Sequence, residues 1–284
     1  MNRRAIAAVF YICTGFFCPF AAAAPDSVFR SSFLVFSFHT GFLNLKDLTV
    51  SPVWYSGPSG GAALEWKKEK SAFQSSITGR FSYGLLSRHF SAGKASSIMT
   101  NLDYQALWGA SSSSFFSCGF RSGFLAHYRY NEAWGNSSGT YENIMDIAPS
   151  VRYSRTFVLK ERFFSFRKLR YFRPERKYRL NIAADYAPAG IVSRTPYPGI
   201  ADFTSGGTPA FPGGDFRLKG PAGFSRIGVS TEIVRFLRNG ANLFGISYRW
   251  NFYSVREPNP VKSAAHSLSF SFYFLSGRRP CSIC

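Results

Sequence analysis

Acidic residues are scarce in this chain: 15 Asp and Glu stand against 34 Lys and Arg, a formal net charge of +19. Charged residues of both signs reach only 17%, below the roughly 25% usual for a soluble domain. Such an imbalance implies an anionic partner, nucleic acid or lipid phosphate. Cysteine is sparse too, at five. Cys13 and Cys18 fall in an N-terminal apolar segment. Cys118, Cys281 and Cys284 form no Cys/His set of four, which excludes a structural zinc site, and nothing in the sequence calls for another metal or a cofactor. Beyond residue 24 no run approaches the roughly 18 apolar residues of a membrane-crossing helix.

What is present at the N-terminus is a secretory signal. Arg3 and Arg4 precede an apolar run from Ala5 to about Phe20, and Ala21 to Ala24 follow. A cut after Ala23 leaves Pro25 as the second mature residue and assigns 1–23 to the signal peptide. Export makes nucleic acid an improbable partner. It leaves a periplasmic, extracellular or outer-membrane protein, and the pattern along the chain separates these.

Aromatics are abundant, at 18%, and they recur at every second position. From Asn242 to Tyr253, Phe244, Ile246, Tyr248, Trp250 and Phe252 alternate with Gly245, Ser247, Arg249, Asn251 and Tyr253. A helix would scatter these rings around its axis; a strand puts them on one face. The same alternation runs through 71–84, 97–109, 114–129, 144–157, 178–187, 225–234 and 265–274. Membrane strands need about 9–11 residues, apolar toward lipid and polar toward the lumen. Trp54, Trp66, Tyr83, Trp108, Tyr128 and Trp250 fall near strand ends, where bilayer interfaces would lie. A soluble β-sandwich would explain neither feature.

Two weaker strands, Leu48–Tyr55 and Gly60–Lys67, bring the number to ten. The expected fold is an all-β, up-and-down antiparallel transmembrane barrel over 47–274, with a tail at 275–284. Residues 24–46 form an N-terminal segment in which Val28–Phe38 is a candidate extra strand, so twelve strands is the alternative. Short links at 68–70, 110–113 and 238–240 mostly alternate with long ones at 85–96, 130–141, 188–223 and 255–263, as periplasmic turns and outer loops do. Two links break the order: 56–59 is short but falls outside, and 158–177 is long but falls inside.

Several pieces resemble an uncharacterised family of Bacteroidetes outer-membrane barrels grouped as a domain of unknown function. They are Leu48-Thr-Val-Ser-Pro-Val-Trp-Tyr-Ser-Gly-Pro58, Ile147-Ala-Pro-Ser-Val-Arg-Tyr153, Ala187-Pro-Ala-Gly190, Ile246-Ser-Tyr-Arg-Trp-Asn-Phe252 and His266-Ser-Leu-Ser-Phe270. The resemblance spans about 40–275. It implies fold and location and transfers no site. Outer-membrane barrels commonly end on an aromatic read by the barrel-insertion machinery; Phe274 resembles it, but Leu275 to Cys284 follow.

By parity, the lumen face carries Glu65, Asp103, Asp146, Asp185 and Glu232 with Lys67, Arg80, Arg121, Arg152, Arg179 and Arg249. A ten-strand lumen is nearly filled by side chains, so these charges should pair as a network. Catalytic residues are not expected. His266 lies beside Ser267 and Ser269 in sequence but shares a face with Leu268 and Phe270, and His89 has no acidic neighbour in its loop. The tract from Lys160 to Lys177 interleaves aromatics with Arg162, Arg167, Lys168, Arg170, Arg173, Arg176 and Lys177. That pattern suits the phosphates of phospholipid or lipopolysaccharide. These features point first to a non-enzymatic envelope barrel with a structural, binding or accessory role. A narrow channel for small anionic or polar solutes comes next, then a lipid-modifying enzyme.

Overall fold

The computed structural model describes residues 31–278 apart from 49–50, 71, 89–93, 110–115, 132–138, 161, 167–168, 174, 195–215, 238–241 and 258; at 51–52, 162–166 and 169–173 it describes the backbone alone. Regular structure among these residues is entirely β. The strands are β1 (Ser31–Asp47), β2 (Ser51–Glu69), β3 (Phe73–Arg88), β4 (Lys94–Trp108), β5 (Phe116–Asn131), β6 (Gly139–Leu159) and β7 (Arg162–Phe166). Then come β8 (Leu169–Arg173), β9 (Arg176–Ala187), β10 (Gly190–Arg194), β11 (Arg217–Lys219), β12 (Phe224–Phe236), β13 (Leu243–Val255) and β14 (Val261–Arg278).

Ten strands close a ring in the order β1-β2-β3-β4-β5-β6-β9-β12-β13-β14, with β14 antiparallel to β1. Closure leaves no sheet edge, the condition for a sheet to stand in lipid. Ser31 is level with both Arg278 and Glu69, so the two ends of the barrel chain lie at one rim, here called inner. The inner turn between β2 and β3 is tight, with Lys70 and Phe73 exchanging backbone hydrogen bonds of 2.8 and 3.4 Å.

The two remaining strands of the main sheet extend the wall at the outer rim. β10 continues the line of β9 along β6, and β11 continues the line of β12. The ladder skips between Ser150–Asp185 and Asp146–Gly190. Pro188 falls in the skip on one side and Pro149 on the other, and neither has an N–H to give to a ladder. At the inner rim β7 and β8 pair as a separate hairpin between β6 and β9.

Burial along β5 alternates at every position from Phe116 to Tyr130. Outward apolar side chains form a continuous exposed band, with Phe38 at 53%, Phe81 at 50% and Ile147 at 68%. Trp54 and Trp66 both face out on β2, twelve positions apart. At ~3.3 Å per residue and a tilt of ~40° that is roughly 30 Å along the barrel axis, the separation of two bilayer interfaces.

Several expected boundaries differ, and β14 runs on to Arg278, into the expected 275–284 tail. Leu48–Tyr55 and Gly60–Lys67 are one strand, β2, so the anomalous link at 56–59 is ladder; Gly57, Gly60 and Gly61 pass through it in extended pairing with β1. Its place in the count is taken by the N-terminal segment, where β1 is a full barrel strand that starts well before residue 47. The long inner link 158–177 is mostly strand: β6 and β9 pair out to Leu159–Arg176 and the hairpin fills the rest. The outer link 188–223 is shortened at both ends by β10 and β11. In each case strand pairing continues past the span set by lipid-facing alternation, because ladder hydrogen bonds need no bilayer. The signal segment, His89, the Asn239-Gly240 turn and the Cys281/Cys284 tail lie outside the described residues.

Candidate functional site in the barrel lumen

The centre of the lumen is organised by one guanidinium. Arg121 on β5 donates from Nη1 to Asp103 at 2.7 Å, from Nη2 to Asp146 at 2.7 Å and from Nε to Asp185 at 2.9 Å. Register explains the convergence. Gly123, next inward on β5, is level with Asp103 on β4 and with Asp146 on β6. A Cβ at Gly123 would lie 2.4 Å from the Arg121 Nη1, so only glycine leaves room for the fork. Gly228 does the same for Asp185, where a Cβ would sit 2.5 Å from Oδ2. Arg226 on β12 adds a second donor, 2.9 Å from Asp146 and 3.3 Å from Asn101.

Arg152 takes no carboxylate; it donates to Gln74 and Gln105, 2.7 Å each. Toward the inner rim, Glu69 accepts both Nη of Arg179 at 3.1 Å and lies 3.0 Å from Lys67. Glu232 accepts from Asn181 at 2.9 Å and from the Tyr273 hydroxyl. Beside this group Phe33, Val35, Val234, Leu243 and Tyr273 pack as a small apolar core. Arg80, Arg249 and Glu65 line the cavity between the inner and outer layers.

The outer third is a second mixed layer. Leu43, Leu45, Leu125, Ile144, Val192 and Phe224 belong to its buried apolar cluster. Within it Arg129 lies 3.1 Å from Asp47 and 3.0 Å from Glu142, and Arg194 reaches across from β10 to Asp47 and the Asn259 carbonyl. His127 is enclosed here. Tyr253 donates its hydroxyl proton to Glu142, so it accepts from Nδ1–H of His127 at 2.6 Å. That tautomer leaves Nε2 to accept from Ser97 Oγ at 2.7 Å.

Ser97, His127 and Glu142 thus stand in the order of a nucleophile, a base and an orienting acid. Attack on a substrate needs access as well. Ser97 and His127 are 1% exposed, Glu142 is 0% exposed, and the mid-lumen cavity does not reach them. Tyr253 also occupies the acid's place on Nδ1.

All eleven acidic and basic residues expected on the lumen face point inward, in three environments: the Arg121 hub, the inner group around Arg179 and the cavity wall. Sequence reasoning missed Arg226, Glu69 and the whole outer group of Asp47, His127, Arg129, Glu142 and Arg194. His127, Arg129 and Arg226 lie on the inward parity of the expected strands 114–129 and 225–234, whereas Glu69, Asp47, Glu142 and Arg194 lie outside the expected strands. His266 faces outward, 2.7 Å from the Tyr248 hydroxyl. Of the expected head-group contacts, Arg162, Arg170 and Arg173 are on the inner hairpin, while Arg167 and Lys168 lie outside the described residues. Arg176 and Lys177 open β9, with the Lys177 ammonium 5.2 Å from the Phe236 ring centre.

A closed antiparallel ring with an apolar exterior and a lumen packed with paired charges defines a transmembrane β-barrel. No protein-family model matches the sequence, and no curated protein matches it. Among solved structures, the outer membrane protease OmpT from Escherichia coli is similar at 7% identity over 90% of this chain and 99% of its own, with a TM-score of 0.42. The translocator domain of the autotransporter NalP from Neisseria meningitidis is similar at 5% identity over 95% of each chain, TM-score 0.37. The CymD monoaromatic hydrocarbon channel is similar at 8% identity over 87% of this chain and 89% of its own, TM-score 0.33.

Proposed function

We propose that this is a non-enzymatic outer-membrane barrel of a Gram-negative envelope with a structural, binding or accessory role, and that it is closed to solutes. The filled lumen supports this reading: ion pairs and apolar side chains occupy both ends, and the space between them is about 140 Å³. The apolar exterior and the exported N-terminus argue for the location, with a cleaved signal peptide and insertion through the barrel-assembly machinery. The resemblance to the Bacteroidetes barrel family stands beside this as part of the same proposal. The mature protein should fractionate with outer membranes, migrate faster unheated than heated on gels, and give no conductance steps in planar bilayers. Stepwise conductance from the folded protein would establish the channel reading instead.

With the termini in the periplasm, the hairpin β7–β8 lies at the inner leaflet. There its cations, together with Arg176 and Lys177 at the start of β9, meet phospholipid phosphates, each well-placed one adding about 1 kcal/mol of attraction. A cysteine at Ser165, in a chain with Cys118, Cys281 and Cys284 changed to serine, should resist an impermeant maleimide on intact cells and react after permeabilisation. Labelling of intact cells would invert the barrel and turn the tract toward lipopolysaccharide.

A further inference from the structure

The mid-lumen is rich in positive charge that its own carboxylates do not neutralise. Below the outer layer, the inward cations are Lys67, Arg80, Arg121, Arg152, Arg179, Arg226 and Arg249; the carboxylates are Glu65, Glu69, Asp103, Asp146, Asp185 and Glu232. One positive charge is left over among the described residues. It is not spread evenly. Asp103, Asp146 and Asp185 are held by Arg121, with Arg226 sharing Asp146, and Glu69 is held by Lys67 and Arg179. Neither Arg80 nor Arg249 is in ion-pair contact with a described carboxylate, and the buried Nε of Arg80 has no hydrogen-bond partner.

These two guanidiniums line the same cavity, Arg80 from β3 and Arg249 from β13, and their charges repel one another across it. Asp103 and Glu65, also on the wall, offset part of this; the fields of both reach Arg80, and Asp103 lies within the field of Arg249 as well. His39, 8% exposed on β1 between the two arginine strands, takes the Ser82 hydroxyl at 2.8 Å through Nε2 and leaves a buried Nδ1 unpartnered. Ser247, Ser263 and Asn251 add hydroxyl and amide donors to the wall. Like charges brought together in a low-dielectric enclosure are stabilised by a counter-ion, and planar guanidiniums are suited to the oxygens of an oxoanion. The cavity, at about 140 Å³, has room for one together with water.

We infer that the mid-lumen cavity is a binding site for one small oxoanion of phosphate or sulfate size, held between Arg80 and Arg249. The inference goes beyond the closed-barrel reading and does not depend on it, since a fixed anion site is compatible with either a sealed or a conducting lumen. It turns what parity presents as surplus charge into a site with a defined ligand class.

Titration with inorganic phosphate of the full-length barrel, refolded from urea into neutral detergent at each phosphate concentration so that a closed lumen loads as it forms, at constant ionic strength in sodium chloride, should reveal one bound phosphate per barrel, with sulfate competing. Arg249→Gln should weaken phosphate binding at least tenfold while keeping the heat-modifiable gel shift. In phosphate-free buffer it should unfold no earlier than the wild type, because it removes repulsion. Ser247→Glu should supply the missing carboxylate from the same face of β13. That variant should unfold later than the wild type in phosphate-free buffer and lose the phosphate response. Arg173→Gln, on the inner hairpin, should leave the titration unchanged. Absence of phosphate binding by the folded wild type, or equal binding by Arg249→Gln, overturns the inference. So does loss of binding in Arg173→Gln alone, which would move the anion to the hairpin.

Discussion

Arg121→Gln should destabilise the barrel by about 3–5 kcal/mol, the cost of leaving buried charge without its partner. Three carboxylates depend on this guanidinium, and it is 6% exposed. Asp146 would retain Arg226 at 2.9 Å, whereas Asp185 would lose its ion pair and Asp103 would keep only a distant one at 3.9 Å. The measurement is the temperature at which the compact, fast-migrating band converts to the slow one, or a urea titration in detergent. Arg121→Gln combined with Asp185→Asn should recover part of the loss, since residues of one network couple non-additively. A cost below about 1 kcal/mol would mean that solvent in the lumen screens these charges.

Ile246→Arg should be nearly as damaging for the opposite reason. Ile246 faces out in the inner half of β13, level with Ile233 on β12 and Phe270 on β14, both exposed. A cation at the midplane of the lipid face costs about 2–4 kcal/mol. Leu218→Arg is the control. Leu218 is more exposed still, at 77%, but it lies on β11 in the outer extension of the wall, above the apolar band. There the change should stay within about 0.5 kcal/mol. Equal effects at the two positions would show that the bilayer reaches the outer extension. The readout is the same gel or urea transition, made in lipid vesicles so that the bilayer thickness is defined.

Much of the wall was legible from spacing. Ile246, Tyr248 and Trp250 against Ser247 and Arg249 reads the same way in the sequence and in the barrel, because the two faces of a strand are a local property of the backbone. Strand ends were less legible. Alternation of apolar and polar residues marks only the part of a strand that lipid touches. Outside the bilayer an outward Ser, Lys or Thr is as acceptable as a Phe, so Lys46 and Lys94 read as loop although they sit in the ladder. The proline at 188 looked like the start of a loop for the same reason. It marks a skip, and Gly190–Arg194 resumes pairing beyond it.

By itself, then, the sequence determined the class of fold, the faces of the strands it marked and the inward direction of the eleven lumen charges. These follow from a two-residue period and the needs of a chain whose neighbours are lipid on one side and packed side chains on the other. Only the tertiary structure decided who meets whom. Arg121 gathers Asp103, Asp146 and Asp185 because register and ring closure bring β4, β5, β6 and β9 to one level, with glycines at 123 and 228 clearing the space. The same closure shuts His127 into the outer layer and leaves Arg80 and Arg249 facing each other across a cavity. Pairing between residues tens to hundreds of positions apart depends on shear and strand order, and no local period encodes either.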